Sequence, residues 1–407
     1  MVWLTRRLPD RDSQGNSLQS VEPFREYHAE ATAWRRHLHR NPELGFSLKN
    51  TAQFVAEKLA SFGIKHIETG IAETGIVAVI KGEGGEGPTI GLRADMDALP
   101  ILEASGKDWS SEVPGHMHGC GHDGHSAMLL GAARHLARTR TFKGSVALIF
   151  QPAEEILPSG AQKMVHEGFL DRFSISQVFG LHNTPGVEVG KFATCHGPAL
   201  SSLDDFDLIV KGKSGHAARP HEGVDPIVIA AQVILGLQTL VSRQTNPIEA
   251  LVVSVTKINA GSAYNVIPEQ VHLAGTVRTF SPALSAFAEQ KIQDSAKSIA
   301  RGFGGDAELD YRRDTPVTFN HMAETDLAIQ AAQSLVGAAS VDAKMPPRSS
   351  SEDFAYMLQE RPGAIMYLGN GPTAALHNPA YDFDDEAIPY GIGYWVKLVE
   401  TVLTPQS

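Results

Sequence analysis

Cysteine is scarce in this chain, and so are runs of positive charge. Only Cys120 and Cys195 occur among 407 residues. One disulfide between them is conceivable, but such sparse use is more typical of a reducing compartment, so we expect a cytoplasmic protein. The formal net charge is -11, and no long run of Lys or Arg is present. Binding to a phosphate backbone needs a basic face, so we do not expect a nucleic-acid partner.

Long hydrophobic segments are also lacking. The longest apolar run, Pro226 to Val241, is interrupted by Gln232 and Gln238. It is shorter than the roughly 20 residues that cross a bilayer, so we interpret it as a buried helix and expect no membrane partner. Residues 1–20 contain no apolar stretch of the kind found in secretory signals, and we expect them to be a disordered leader outside the fold.

Two motifs that would indicate other enzymes are missing or misplaced. No G-x-S-x-G is present, so a serine hydrolase would lack its nucleophile. The segment Lys81 to Gly87 contains G-x-G-x-x-G, but it precedes a strand and carries two glutamates. A turn between strands explains it better than a dinucleotide site does.

The length favours two domains, since one core seldom serves 407 residues. Helical periodicity alternates with short β-branched segments over residues 21–197, which predicts an α/β catalytic domain with a mixed sheet covered on both faces. The predicted helices are 27–39, 51–62 and 125–138, and the predicted strands are 75–81, 89–93, 145–150 and 177–181.

The pattern changes after about Pro198. Strand, helix, strand, strand, helix and strand follow in order, which is the βαββαβ arrangement of ferredoxin-like modules. The predicted segments are 206–211, 226–241, 250–258, 271–280, 281–302 and 307–311. We therefore expect an inserted lid and dimerisation domain over 198–315, with 316–407 returning to the catalytic domain.

Metal-binding side chains follow three of the predicted strands directly. The strand at 89–93 leads into Asp95, the strand at 145–150 leads into Glu154 and Glu155, and the strand at 177–181 leads into His182. Sites in open α/β sheets form outside the carboxyl ends of the strands, so these groups should converge.

A glycine-rich segment supplies a fourth contribution. Glycines around Cys120 and His122 allow a tight turn, so both side chains can point into one cavity. Asp123 is placed to cap the helix that follows. A thiol ahead of a helix has a depressed pKa, and thiolate with imidazole suits Zn²⁺, although Co²⁺, Ni²⁺ or Mn²⁺ could use a mixed site.

Each of these residues has an ordinary interpretation when taken alone. A cysteine in a glycine-rich loop is more often a small buried residue, a strand-end histidine such as His182 is more often simply hydrogen bonded, and an acidic pair is usually solvated. Their joint placement at strand ends and at one tight turn favours a metal site.

The chain resembles the M20 metallopeptidase family, and within it the amidohydrolase branch that includes hippurate hydrolases and auxin-conjugate hydrolases. The resemblance extends from about residue 25 to 400. The motifs that carry it are RRHLHRNPELGF, GLRADMDALPI, MHGCGHDGHSAMLLGAA, FQPAEE, GLHN, GHAARPHEGVDPI, NVIPE, GTVRTF, SSEDFAY and LHNP.

The resemblance implies a two-metal site and a general base. Two divalent ions would be held by five residues, and Glu154 would be the base that takes a proton from water. The implied ligands are Cys120, His122, Glu155, His182 and His377. The resemblance does not fix which of Zn, Mn, Ni or Co is bound.

The resemblance also implies roles for the inserted domain. His216 would stabilise the oxyanion in the site of a partner subunit, and Asn265 and Arg278 would bind the free carboxylate of the substrate. His216 alone could equally be a structural loop histidine, and Arg278 an ordinary strand arginine. The lid domain would join two subunits in a homodimer, or more in a homotetramer.

One departure from the peptidases of the family bears on function. Many of them have a His-x-Asp ligand motif where this chain has Arg93-Ala94-Asp95, so no ligand is expected from position 93. Asp95 could still orient a ligand. We therefore expect hydrolysis of the amide bond of N-acyl-amino acids. A dipeptidase or carboxypeptidase is the alternative, and a non-catalytic binding protein on this scaffold is a weaker one.

Overall fold

The structure is a computed structural model, and it describes residues 21–403. The expected leader, 1–20, lies outside the described residues. In chain order, the strands are β1 His66–Ile71, β2 Gly75–Lys81, β3 Thr89–Asp95, β4 Ser145–Gln151, β5 Ile175–Thr184, β6 Phe192–Ala193, β7 Gly197–Leu200, β8 Leu203–Lys211, β9 Gly215–His216, β10 Leu251–Ala260, β11 Val266–Ile267, β12 Gln270–Thr279, β13 Asp306–Thr315, β14 Thr318–Asn320, β15 Val341–Asp342 and β16 Gly363–Gly369.

The α-helices alternate with these strands. They are α1 Glu22–Arg25, α2 His28–Arg40, α3 Lys49–Ser61, α4 His122–Thr139, α5 Gly160–His166, α6 Phe169–Arg172, α7 Pro226–Thr239, α8 Pro282–Gly302, α9 Met322–Val336, α10 Ala355–Glu360 and α11 Ile388–Leu403.

The described chain divides into two compact units. Unit 1 contains the chain up to Gly197, Phe319–Pro346 and the chain from Tyr356, and unit 2 contains Pro198–Thr318 and Pro347–Ala355. The second segment of unit 2 differs from the expectation, which placed it in the catalytic domain. The reason is local: the backbone N–H of Ser201 donates to the carbonyls of Arg348 and Ser350.

Unit 1 is built on a mixed eight-stranded sheet, which confirms the predicted α/β class. The strand order is β1-β2-β4-β3-β5-β16-β6-β15. Strands β4, β3, β5 and β16 are parallel neighbours, whereas β1, β2 and β4 pair antiparallel. Nearly every residue of β3, β4 and β16 is buried. Strands buried on both faces place their polar residues at the ends, where a site can form.

Unit 2 has its own sheet and its own core. The four-stranded sheet has the order β10-β12-β8-β13, and all its pairings are antiparallel. Burial alternates along β8, because every second residue faces the helices and the others face away. Phe206, Leu208 and Val210 on the inner face pack with the apolar sides of α7 and α8.

The expectation that 226–241 forms a buried helix is wrong for one face of the helix. The helical segment continues through a π-helical turn to Gln244, and only a third of its apolar window is buried. It is long and apolar enough for a membrane span by length and composition alone. Ile229, Val233 and Leu237 face the core of unit 2, while Leu235, on the opposite face, is 64% exposed.

Candidate metal centre

Three neighbouring parallel strands of unit 1 bring the acidic groups together. Asp97 lies two residues beyond β3, and Glu154 and Glu155 follow the turn after β4. Strand β5 continues through Thr184, so His182 lies within the strand, near its end. The prediction had placed His182 directly after the strand. The carboxyl ends of β4, β3 and β5 lie side by side, as expected for a site in such a sheet.

The turn before α4 requires glycine at one position. Gly121 has φ of +87°, a left-handed conformation that is costly for other residues. A Cβ there would lie 2.3 Å from Nδ2 of Asn183 and 2.5 Å from the hydroxyl of Tyr381. The tight turn directs Cys120 and His122 into the same buried region, as the glycine pattern predicted.

Two non-glycine residues with left-handed backbone flank the centre. Ala153, which precedes Glu154, has φ of +53°, and His377 has φ of +64°. Such conformations are strained and occur disproportionately at functional sites. The backbone N–H of His377 donates to the carbonyl of Gly119 at 2.8 Å, which fixes the loop of His377 beside the turn of Cys120.

The structure brings all five predicted ligands and Glu154 together in unit 1. Three overlapping groups have their ligand atoms within 4.8 Å of one another. The groups are Cys120 with His122 and His182, Cys120 with Glu155 and His377, and His122 with Glu154 and Glu155. Cys120, His122 and Glu155 each belong to two of these groups, so the three groups form one continuous cluster.

Hydrogen bonds determine which ring nitrogen of His122 and of His182 is available to ligate a metal. Nδ1 of His122 lies 2.8 Å from the carbonyl oxygen of Asp97, and Nδ1 of His182 lies 2.6 Å from that of Asn183. A carbonyl only accepts, so each Nδ1 carries the hydrogen and Nε2 is the ligating nitrogen. Nε2 of His122 is buried without a hydrogen-bond partner among the described residues. A buried nitrogen of this kind fits a metal ligand.

The electrostatics favour a cation at the same place. Burial opposes protonation of His122, but the carboxylates of Asp95 and Asp97 outweigh it and raise its pKa to about 10. A site that favours a proton on Nε2 also favours a divalent cation, which displaces that proton on binding. Burial lowers the pKa of His182 far below its usual value, so this imidazole is neutral and able to ligate.

Glu155 is kept ionised although its side chain is only 9% exposed. Burial raises the pKa of this carboxyl, but His377 and His122 outweigh that effect and lower it. Its Oε1 lies 3.3 Å from Nε2 of His377 and 3.9 Å from Nε2 of His122. The pair with Glu155 in turn raises the pKa of His377.

Asp97 has a clear positioning contact that the sequence did not reveal. Its two carboxylate oxygens accept the backbone N–H groups of Glu154 and Glu155 at 3.0 and 3.1 Å. The signal that could have found it is its spacing of two residues from Asp95, because alternate residues of an extended segment share a face.

Asp123 does not cap α4, contrary to the prediction. The N-cap is Gly121, and Asp123 lies within the first turn. Its carboxylate accepts from Nδ1 of His39 at 2.8 Å and lies 3.6 Å from Arg35. His39 also contacts Glu103 at 3.2 Å, so this histidine has a structural role.

The other predicted site residues lie in unit 2. His216 is exposed on β9, which pairs with β11, and the carbonyl of Asn265 accepts from the backbone N–H of Ala217. Arg278 lies on β12, half-buried, and its guanidinium donates to the hydroxyl of Ser351 at 3.1 Å. The structure thus brings His216 and Asn265 together and places Arg278 on a separate sheet.

The comparison with known families identifies the family of the chain. The model of Peptidase family M20/M25/M40 matches residues 91–401. The chain belongs to this family. It is 38% identical to an N-acetylcysteine deacetylase of Bacillus subtilis, over 93% of this chain and 98% of the relative, and 38% identical to the hippurate hydrolase of Campylobacter jejuni, over 89% and 94%.

A solved structure of the same M20 family agrees with this assignment. It is a dinuclear metal binding peptidase from Bacillus subtilis with a TM-score of 0.82 and 36% identity, covering 93% of this chain and 99% of that one. The expected family membership is confirmed.

Proposed function

We propose that this M20 protein is a metal-dependent hydrolase that cleaves the amide bond of N-acyl-amino acids, releasing a carboxylic acid and an amino acid. The observation that carries the proposal is the cluster of unit 1, in which five potential ligands lie in overlapping groups and Glu154 lies with two of them, His122 and Glu155. The relatives named for N-acetylcysteine and hippurate share the chemistry of an acyl group on an amino-acid nitrogen.

Two divalent ions fit the residues present. One would be held by Cys120, His122 and His182, and the other by Cys120, Glu155 and His377. Thiolate, imidazole and carboxylate together suit Zn²⁺, and Mn²⁺, Ni²⁺ or Co²⁺ are alternatives. When bound, the ions would supply Lewis-acid polarisation of the scissile carbonyl and of water.

Glu154 is proposed as the general base. Asp97 accepts from the backbone N–H of Glu154, and Glu155 pairs with His377. The Glu154 carboxylate lies within 4.8 Å of the ligand atoms of His122 and Glu155, where it could reach a water beside the ligands. It takes a proton from the attacking water and delivers it to the leaving nitrogen.

Unit 2 is proposed as a ferredoxin-like lid that recognises the substrate. The strand order and the βαββαβ sequence of elements support this assignment. Burial lowers the pKa of Arg278, which shows a guanidinium partly removed from water. A carboxylate of the substrate would be a natural partner for it, with Asn265 beside His216 as a second polar contact. His216 would stabilise the oxyanion.

Unit 2 is also proposed to form the subunit contact of a homodimer or homotetramer. The solvent face of α7 carries Ile227, Val228 and Leu235, all exposed. Strand β10 is the edge of its sheet, and its outward backbone groups could pair with another strand. Both cysteines are free thiols, which supports the reducing cytoplasm as the compartment.

A hydrolysis panel tests the proposal. Protein reconstituted with divalent metal is assayed on N-acetyl, N-benzoyl and indole-acetyl amino acids and on simple dipeptides, with Glu154→Gln as the control. We expect acyl-amino acids to be cleaved and the control to be almost inactive. Preference for dipeptides over every acyl-amino acid would assign a dipeptidase instead, and no hydrolysis of any substrate would indicate a binding protein.

A further inference from the structure

A buried hydrogen-bond network lies behind the candidate ligands of unit 1. It consists of Asp95, His125 and Asn183, which are 0, 2 and 1% exposed. Nδ1 of His125 lies 2.6 Å from a carboxylate oxygen of Asp95, and the backbone N–H of Asn183 donates to Nε2 of His125 at 2.9 Å. We call these three residues the Asp95 network.

The direction of these bonds excludes His125 as a metal ligand. A backbone N–H can only donate, so Nε2 of His125 accepts and its hydrogen must be on Nδ1, where it bonds to Asp95. Both ring nitrogens are therefore occupied. The second oxygen of Asp95 accepts from the guanidinium of Arg93 at 2.7 Å, which compensates the buried charge.

The network contacts three candidate ligands. Nδ2 of Asn183 donates to the carbonyl of Cys120 at 2.6 Å, and the carbonyl of Asn183 accepts from His182. His125 is one turn after His122 on α4, so both project from the same side of the helix. Anchoring His125 therefore fixes the rotation of α4 about its axis, and anchoring Asn183 fixes both Cys120 and His182.

We propose that the Asp95 network positions Cys120, His122 and His182 for metal binding, and that His125 is its central positioning residue. The inference rests on the proposed function, because that function identifies these three residues as ligands. A merely structural network would stabilise unit 1 without altering metal affinity. A positioning network determines how tightly one specific ion is held, because ligands that must be reoriented bind less strongly.

The test compares two substitutions at position 125 with one on the same helix. His125→Leu removes both hydrogen bonds at similar volume, whereas His125→Gln can keep a donor towards Asp95 and an acceptor towards Asn183. His135→Gln is the matched control, because His135 lies on α4 but contacts Tyr27. Zn²⁺ affinity is measured by competition with a chromophoric chelator, and the Co²⁺-loaded proteins are compared by their thiolate-to-cobalt absorption.

We expect His125→Leu to raise the Zn²⁺ dissociation constant of one of the two sites roughly 10- to 100-fold and to change the thiolate-to-cobalt band. His125→Gln should remain within a few-fold of wild type, and His135→Gln should be unchanged. A folded His125→Leu protein with wild-type Zn²⁺ affinity and an unchanged cobalt spectrum would overturn the proposal.

A further variant covers the case in which His125→Leu does not fold. Asn183→Asp keeps the backbone N–H to His125 but removes the donor to the Cys120 carbonyl, so it should also weaken Zn²⁺ binding and alter the cobalt band. Unchanged values for that protein would overturn the proposal. Wild-type protein that binds no divalent ion would contradict the proposed function as well, whereas tight binding in wild type and in every folded variant would contradict only the network.

Discussion

The candidate groups of the two units differ in how their geometry is held. In unit 1, Cys120, His122 and His182 are buried, and their orientation is fixed by hydrogen bonds within the unit. In unit 2, His216 is exposed, and the half-buried guanidinium of Arg278 donates to the hydroxyl of Ser351. The ligand geometry of unit 1 therefore does not depend on a bound substrate, whereas the proposed function has the polar groups of unit 2 complete their contacts with a substrate or a second subunit. Variants of unit 1 should therefore change turnover and metal binding, and variants of unit 2 should change substrate affinity or assembly.

The largest effect is expected for Glu154→Gln. Removing a general base costs roughly 10²- to 10⁴-fold in rate. We expect kcat to fall by that factor while the metal content per chain stays at the wild-type value, because Glu154 is the proposed base and not a ligand.

Glu188→Gln is the matched control, since Glu188 is exposed and pairs with Lys191 at the surface. Steady-state kinetics with metal analysis of the same samples provides the measurement. Loss of metal from the Glu154 variant would assign this residue to the ligands, and full activity would remove it from the mechanism.

Arg278→Gln should weaken the binding of the substrate. A charge-assisted hydrogen bond contributes about 1.5–3 kcal/mol, so kcat/KM for an acyl-amino acid should fall roughly 10- to 100-fold, mainly through KM. The same substrate with its carboxylate replaced by a carboxamide should show no difference between wild type and variant, because the guanidinium then has no anion to bind.

Arg312→Gln is the control for this comparison, because Arg312 on β13 is paired with Asp207 and Asp310. An equal loss on both substrates would mean that Arg278 supports the sheet and not the substrate.

Leu235→Glu tests the proposed subunit contact. Leu235 is the most exposed residue of the apolar face of α7, and a buried unpaired carboxylate in an interface is costly. We expect wild-type protein to be at least dimeric and the variant to shift towards monomer in light scattering coupled to size exclusion. Leu102→Glu, at another exposed leucine that lies in unit 1, should leave the mass unchanged. A wild-type monomer would contradict the proposal directly.

His39→Gln should have the smallest effect on activity and a pH-dependent effect on stability. Burial disfavours the charged form of His39, but Asp123 and Glu103 outweigh burial and the repulsion of Arg35 and raise its pKa to about 9. Stability from this raised pKa is fully present below the unfolded value near 6.5 and is lost as pH rises through about 9. The buried pair should contribute about 3 kcal/mol near pH 6.

Thermal unfolding of metal-free protein at several pH values measures this contribution. The difference between wild type and His39→Gln should be widest near pH 6 and should shrink between pH 6.5 and 9. His37→Gln, on the same helix, should show no such trend, because His37 packs on Phe54 and is not part of the buried pair. A difference independent of pH would mean that packing and not charge stabilises this contact.

The helices and strands of both units were predicted well from the sequence, because the hydrophobic patterns that indicate them are local. Alternation in β8 and the strong periodicity of α8 need no knowledge of distant residues. The five potential ligands were predictable for the same reason together with the family motifs. Contacts between distant parts of the chain were not predictable. Asp123 is a residue type typical of N-caps, but its carboxylate is hydrogen bonded to His39, 84 residues away.

The exposed half of α7 could not be predicted from composition. An apolar helix of this length is equally compatible with burial in a core, in a membrane or in a contact between subunits. Only the packing of Ile229 and Val233 on the sheet shows which face is covered. In the same way, the proposed role of His125 depends on a hydrogen bond from the backbone N–H of Asn183. A pattern of side-chain types in the sequence cannot predict such a bond.

The position of β16 has a consequence for the order of folding. This strand, Gly363–Gly369, lies in the interior of the eight-stranded sheet, between β5 and β6, although it is close to the end of the chain. During synthesis, the edge of β5 therefore stays open until about residue 369 has been made. The four-stranded sheet of unit 2 is complete by Thr315 and depends on much closer partners. Unit 2 should therefore acquire its structure first, and unit 1, with the metal centre, should be the late and aggregation-prone step of biosynthesis.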